Sequence, residues 1–206
     1  MATGLESTNP WLQQPQAAAI ALFRAIEARK YAHTWRKENP IHVGACGISL
    51  PDRDHFTAYI HGANFKPEQY GPINTHAEEE VLYAARSVLN VLAVVGDVQP
   101  DDNTGLAAET LLPCSAVCLP MLKASQSLES HSLILSANPD LSVVQYYGVP
   151  ELNKVYETGD VGELITVHLE TSLAADDAEW NEKIFLPLID RIVERLSGVG
   201  DLLPEQ

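Results

Sequence analysis

His76, Glu78, Cys114 and Cys118 are the side chains of this 206-residue chain whose types and spacing can do chemistry together. They stand as His76-Ala77-Glu78 and, further along, Pro113-Cys114-Ser115-Ala116-Val117-Cys118. Zinc prefers imidazole nitrogen and thiolate sulfur, and a catalytic zinc keeps three protein ligands and one corner for water. One imidazole and two thiolates meet that requirement. A carboxylate two residues beyond the histidine falls on the same helical turn, where it can lean over the site and carry protons without being a ligand. A bound zinc ion would bring the pKa of its water towards about 7, so that hydroxide is available at neutral pH.

Two helix starts must bring these groups together. Positions i and i+4 share a helix face, so Cys114 and Cys118 can chelate one ion from a helix that Pro113 opens and that runs to roughly Leu128. The histidine belongs to the start of another helix, from about Thr75 to Leu89. Thr75 is its expected N-cap, and Glu78 three residues on would complete a capping box. Capping is therefore the structural role open to Glu78, beside the chemical one. Glu79 and Glu80 read as a solvated helix face. Both helix starts add positive potential at the site, which favours thiolate over thiol.

The other elements follow from periodicity and turn residues. Apolar Ala19, Ile20, Phe23, Ile26 and Tyr31 recur at helical spacing and predict an amphipathic helix from Pro15 to about Lys37, bounded by Asn39-Pro40. Ile41–Leu50 and His55–Asn64 read as a β-hairpin about the turn Pro51-Asp52-Arg53-Asp54. A loop from Phe65 to Asn74 leads to the histidine helix. Val91–Asp97 is a continuous apolar run suited to a buried strand. Ser132–Ala137 and Leu141–Tyr147 flank Asn138-Pro139-Asp140, a turn too short for a crossover helix, so these strands should be antiparallel. Leu164–Leu169 is a further strand candidate. Trp180, Ile184, Leu188, Ile192 and Leu196 mark one face of a last helix over 178–196, with a kink or fresh start at Pro187. The expected architecture is a three-layer α/β/α fold around a mixed five-stranded sheet, with extra N- and C-terminal helices. Residues 1–10 form a flexible lead-in, 11–175 the main domain, and 176–206 a C-terminal helix and tail packed on it.

Composition narrows the partners. A net charge of -15, with 13 Lys and Arg against 28 Asp and Glu, argues against nucleic acid, which needs a dense basic surface to displace counterions. No apolar run approaches the roughly 18 residues that span a bilayer, so no membrane partner is expected. The first ten residues lack the basic-then-apolar pattern of a secretory leader, and three cysteines cannot all pair. A reduced, cytoplasmic protein acting on a small molecule is the expectation. Cys46, inside a strand and remote from the other two, reads as a buried small hydrophobe. A second ion shared by His42, His55 and His61 is not expected. Phe65 and Tyr146-Tyr147 are aromatic faces that could flank a ring.

The H-A-E and P-C…C arrangement resembles the signature of the zinc-dependent cytidine and deoxycytidylate deaminase superfamily, whose glutamate acts as general acid and base. The spacing departs from it, since the superfamily has P-C-x-x-C and this chain P-C-x-x-x-C. Val43-Gly44-Ala45 looks like the V-G-A strand of free cytidine deaminases, and Gly62-Ala63-Asn64 like their strand ending in a ribose-binding asparagine. The likeness covers about residues 33–147. Antiparallel last strands are similar to the cytidine deaminase branch, while a histidine ligand is commoner in the deoxycytidylate branch. Lys66 stands where the cytidine enzymes have a glutamate, and Ile41 where they have a stacking phenylalanine. A lysine there would favour a phosphate or carboxylate on the substrate.

The resemblance implies a zinc-dependent hydrolase that removes ammonia from a cytosine-type amino-heterocycle, as free base, nucleoside or nucleotide. His76, Cys114 and Cys118 would hold zinc and Glu78 would shuttle protons. The Ala77 N–H would bind the ring carbonyl, with Asn64, Phe65 and Lys66 as further substrate contacts. A homodimer or homotetramer is implied as well. A catalytically inactive deaminase-like zinc protein and a nucleic-acid-editing deaminase are the alternatives.

Overall fold

The computed structural model describes residues 10–38, 40–49, 58–69, 71–97, 117–130, 132–141, 143–148 and 165–168. Its first helix, α1, spans Pro10–Arg29. Proline suits the first helical position because its missing N–H would have no partner there. The helix starts five residues before the expected Pro15 and stops well short of Lys37. It stops because the chain beyond it is recruited elsewhere: His33–Thr34, a two-residue strand β1, runs parallel to β4, Phe65–Lys66. His33 N–H donates to the Asn64 carbonyl at 2.8 Å and Trp35 N–H to the Lys66 carbonyl at 2.7 Å. Tyr31, expected on the apolar helical face, lies beyond the helix and is 82% exposed.

The main sheet has the order β3-β2-β5-β6-β7-β8. Its members are β2 Val43–Ser49, β3 Ala58–Ala63, β5 Val91–Gly96, β6 Leu133–Ala137, β7 Val143–Gly148 and β8 Ile165–His168. Only β5 and β6 pair in parallel. The five strands β3, β2, β5, β6 and β7 are the expected mixed sheet, and the candidate strand at 164–169 joins it as a sixth, β8. The β2–β3 hairpin forms as read, with Cys46 opposite His61 and Ala45 opposite Gly62. The β6–β7 pair is antiparallel, as the short turn requires. Asn138 organises that turn: its Oδ1 accepts from Val143 N–H at 3.0 Å, and its carbonyl accepts from Leu141 N–H at 3.0 Å. Leu141 takes a φ of 56°, a left-handed conformation costly for leucine, and its side chain is fully buried in the core.

Alternation along the strands divides two cores. Cys46, Ile48, Val91, Ala93, Val95, Leu133 and Leu135 meet α1 on one face. Ala45, Leu92, Val94 and Ile134 meet α2 (Ala77–Ala84) and α3 (Cys118–Ala124) on the other. The layers are thus α/β/α. The alanine-rich stripe of α1 lets it come very close to β2, where a Cβ on Gly44 would collide with the Ala25 carbonyl and the Arg29 backbone. Arg29 fastens this end, donating through Nη2 to Asp97 Oδ1 at 2.5 Å and through Nε to the His42 carbonyl at 3.1 Å. Asp97 Oδ2 accepts from His42 N–H at 2.8 Å, so one carboxylate joins α1, the entry to β2 and the exit of β5.

Among the described residues, no helix is long and apolar enough to cross a membrane. Residues 1–9 of the expected 1–10 lead-in, the hairpin turn at 51–54 and the helix expected at 178–196 lie outside the described residues, as does the whole of the 176–206 unit.

Candidate functional site

The histidine helix begins one residue later than its sequence signals indicate. Thr75 is held extended in an antiparallel bridge with Phe65, the two exchanging N–H···O bonds of 3.1 and 2.8 Å. Its backbone is committed to that bridge, so the N-cap moves to His76, with φ −97° and ψ 152°. The capping carboxylate moves with it. Glu79, not Glu78, accepts from His76 N–H, at 3.1 Å. Glu80 is also taken: Oε2 accepts from Ala63 N–H at 3.1 Å and Oε1 from the Thr75 hydroxyl at 3.3 Å. Both were expected to be solvated. Instead Glu79 caps the helix and Glu80 straps its start to β3 and to the bridge, while Glu78 turns inward and is 4% exposed.

Gly62 sets how closely this helix start meets the sheet. A Cβ there would collide with the Ala77 carbonyl oxygen and touch Glu80 Cβ at 3.0 Å. The glycine therefore brings the turn carrying His76 and Glu78 down onto β3. Ala77 is fully buried against the same core. The helix ends at Ala84 rather than Leu89, because Ala85 turns extended (ψ 132°) and Leu89 N–H is taken by the Ser127 carbonyl at 2.8 Å.

The second helix also starts later than its proline. Val117, with φ −125° and ψ −59°, is the N-cap of α3, and Cys118 is its first residue. A single helix from Pro113 to Leu128 is therefore replaced by a shorter one that ends at Ala124, where Ser125 turns extended. Cys118 is buried, and its Sγ lies 3.2 Å from His76 Nδ1, across 42 residues of sequence. One ligand atom each from His76, Glu78 and Cys118 fall within 4.8 Å of one another, and this is the one such group of three or more among the described residues. Pro113 and Cys114 lie outside them.

The donor set fits a zinc ion. Bonds of about 2.3 Å to sulfur and about 2.05 Å to nitrogen at a tetrahedral angle separate the two ligand atoms by about 3.6 Å. The 3.2 Å found requires only a small relaxation to admit the ion. Imidazole, buried thiol and buried carboxylate are also ligand types that zinc accepts.

Around this group, Asn64 is buried and fixed. Its Oδ1 accepts from Val43 N–H at 2.6 Å and its Nδ2 donates to the Ile41 carbonyl at 3.0 Å. One amide hydrogen and one lone pair remain beyond those two bonds. Phe65 is 42% exposed and stacks on His33, ring centroids 5.3 Å apart. Lys66 is half-buried in β4. Sequence reasoning missed Glu79 and Glu80; an extended Thr75 pairing with Phe65 would have signalled both. It also missed Asn74, whose Nδ2 donates to the Glu68 carbonyl at 2.8 Å and whose Oδ1 is buried with no hydrogen-bond partner.

Cys46 stands apart from the site as expected. It is fully buried on the α1 face, and burial pushes its thiol up to about 12, outweighing the nearby Arg24 charge and a backbone hydrogen bond. Opposite it, burial and then Arg24 push the His61 imidazole below its ordinary range. His55 lies outside the described residues.

No protein-family model matches the chain, and no curated protein matches it in sequence. Among solved structures it is similar to cytidine deaminases. The enzyme from Burkholderia pseudomallei aligns at 21% identity over 65% of this chain and 93% of that one, with a TM-score of 0.46. The enzyme from Mycobacterium tuberculosis aligns at 24% identity over 56% and 80%, with a TM-score of 0.39.

Proposed function

We propose that this chain is a hydrolytic deaminase of a cytosine-type amino-heterocycle, with zinc held by His76, Cys114 and Cys118. The observation that carries the reading is the 3.2 Å approach of Cys118 Sγ to His76 Nδ1 beside the buried Glu78. Zinc, when bound, supplies a Lewis acid that makes water a nucleophile near neutral pH. Glu78 does the proton work. Its carboxylate takes one proton from the attacking water and delivers it to the ring nitrogen, then carries the second to the departing amine. A carbon–oxygen bond forms, the exocyclic carbon–nitrogen bond breaks, and ammonia leaves. No oxidant or reductant is consumed. The capping by Glu79 supports this role, because it spares Glu78 the structural task that its position first suggested. The Ala77 N–H binds the ring carbonyl, and Asn64, with its amide pre-oriented by Val43 and Ile41, contacts the substrate.

The reading makes the chain an enzyme for a small molecule, cytoplasmic and assembled as a homodimer or homotetramer. One observation favours a second reading. The Glu78 carboxylate itself lies within ligand distance of the other two groups, and a fourth protein ligand would close a structural site with no turnover. The test is ammonia release and zinc content in Glu78→Ala. Deamination predicts full zinc and turnover reduced at least a thousand-fold. Near-normal turnover removes Glu78 as the proton shuttle, and lost zinc makes it a ligand.

A further inference from the structure

We propose that Lys66 and Asn74 form an anion-and-hydroxyl subsite beside the His76 centre, selecting a heterocycle whose sugar-like substituent ends in a phosphate or carboxylate. The inference rests on the deaminase reading and names its substrate class. The Phe65–Thr75 bridge carries the geometry. Those two residues exchange both backbone hydrogen bonds, so the flanking rungs set Asn64 opposite His76 and Lys66 opposite Asn74. Side chains alternate along an extended strand. Lys66 and Asn74 therefore share a face with Asn64 and His76, while Phe65 and Thr75 occupy the other. Two strand residues span roughly 7 Å, a distance that a lysine side chain can cover.

Two unmet valences sit on that rung. Among the described residues, the Lys66 ammonium takes part in no ion pair. Asn74 Nδ2 faces the Glu68 carbonyl, which fixes the amide's orientation and leaves Oδ1 as a buried acceptor with no donor. A buried polar atom without a partner calls for one. An ammonium asks for an anion and the amide oxygen for an N–H or O–H. A phosphorylated or carboxylated sugar presents both on adjacent atoms. The local charge agrees: Arg36 and Lys37 follow β1, which pairs with β4, while Arg29 and Lys30 are already taken by Asp97 and Glu27. The Arg36 guanidinium is held there, 5.6 Å from the Trp35 ring centroid. In a chain of net charge -15, this rim is where an anion is admitted.

The experiment compares cytidine, cytidine 5′-monophosphate and a cytidine 5′-carboxylate as substrates of the zinc-loaded full chain and of its Lys66→Ala and Lys66→Arg variants. KM for one anionic substrate at least tenfold below that of cytidine is expected. Lys66→Ala should raise that KM about tenfold more than the KM for cytidine, and Lys66→Arg should recover most of the loss. The arm that shows the effect distinguishes phosphate from carboxylate. Equal KM changes for charged and neutral substrates overturn the subsite. Should none release ammonia, calorimetric titration of the same three compounds decides: Lys66-dependent binding of an anion upholds the subsite while the deaminase reading falls, and its absence ends both.

Discussion

Replacing Gly62 by alanine tests whether the sheet sets the position of the reacting groups. The added Cβ would overlap the Ala77 carbonyl oxygen, stand 3.2 Å from the Ala77 carbonyl carbon, and touch Glu80 Cβ at 3.0 Å. Two of these atoms are backbone and cannot rotate aside. The first turn of α2 must lift away from β3, by a distance on the order of 1 Å, and His76 and Glu78 lift with it. Overpacking of this kind costs about 1–3 kcal/mol of stability. A misplacement of about 1 Å at reacting groups costs about a hundred-fold in rate. Gly96→Ala is the control, because its Cβ would meet only the Val43 side chain, at 3.1 Å or more, and a side chain can yield. Zinc affinity, ammonia release and urea unfolding measured on both variants separate the effects. Gly62→Ala should weaken zinc binding and cut turnover about a hundred-fold, with Gly96→Ala within threefold of the parent. Parental zinc affinity and turnover in Gly62→Ala would refute the idea that β3 places the helix start.

Two other outcomes follow from the same packing. With its thiol pushed up to about 12, Cys46 carries thiolate in about one molecule in ten thousand at pH 8, so iodoacetamide should leave it intact in the folded protein and label it on unfolding; peptide mass mapping showing rapid native labelling would contradict its burial. Glu80→Ala removes the acceptor of Ala63 N–H and the partner of the Thr75 hydroxyl, at a cost of about 2 kcal/mol, or roughly 4–8 °C in Tm. A change under about 0.5 kcal/mol by urea unfolding would mean that this strap adds nothing.

The strands were readable because each carries a strong local signal. The apolar run of β5 reflects burial on both faces, and Asn138-Pro139-Asp140 forces the antiparallel return. The meeting of His76 with Cys118 was legible as residue types, though not as a contact, since 42 residues separate them. Helix limits were misread wherever a distant partner took the backbone. Thr75 looks like a cap until Phe65 claims it, and that single pairing shifts the cap to His76 and the capping role to Glu79. The region after Arg29 continues a helical pattern in sequence, yet His33 and Trp35 are drawn off by Asn64 and Lys66. Gly44 and Gly62 were visible as motif letters. Their physical reason, a helix backbone resting on each, appears only in three dimensions.

Metal content of the purified chain bears most directly on the central claim, that His76 and Cys118 close on one ion while Glu78 stays off it. One equivalent of zinc per chain is predicted, lost in His76→Ala and in Cys118→Ser and kept in Glu78→Gln. Zinc-free protein, or zinc that survives Cys118→Ser and leaves with Glu78→Gln, would contradict it.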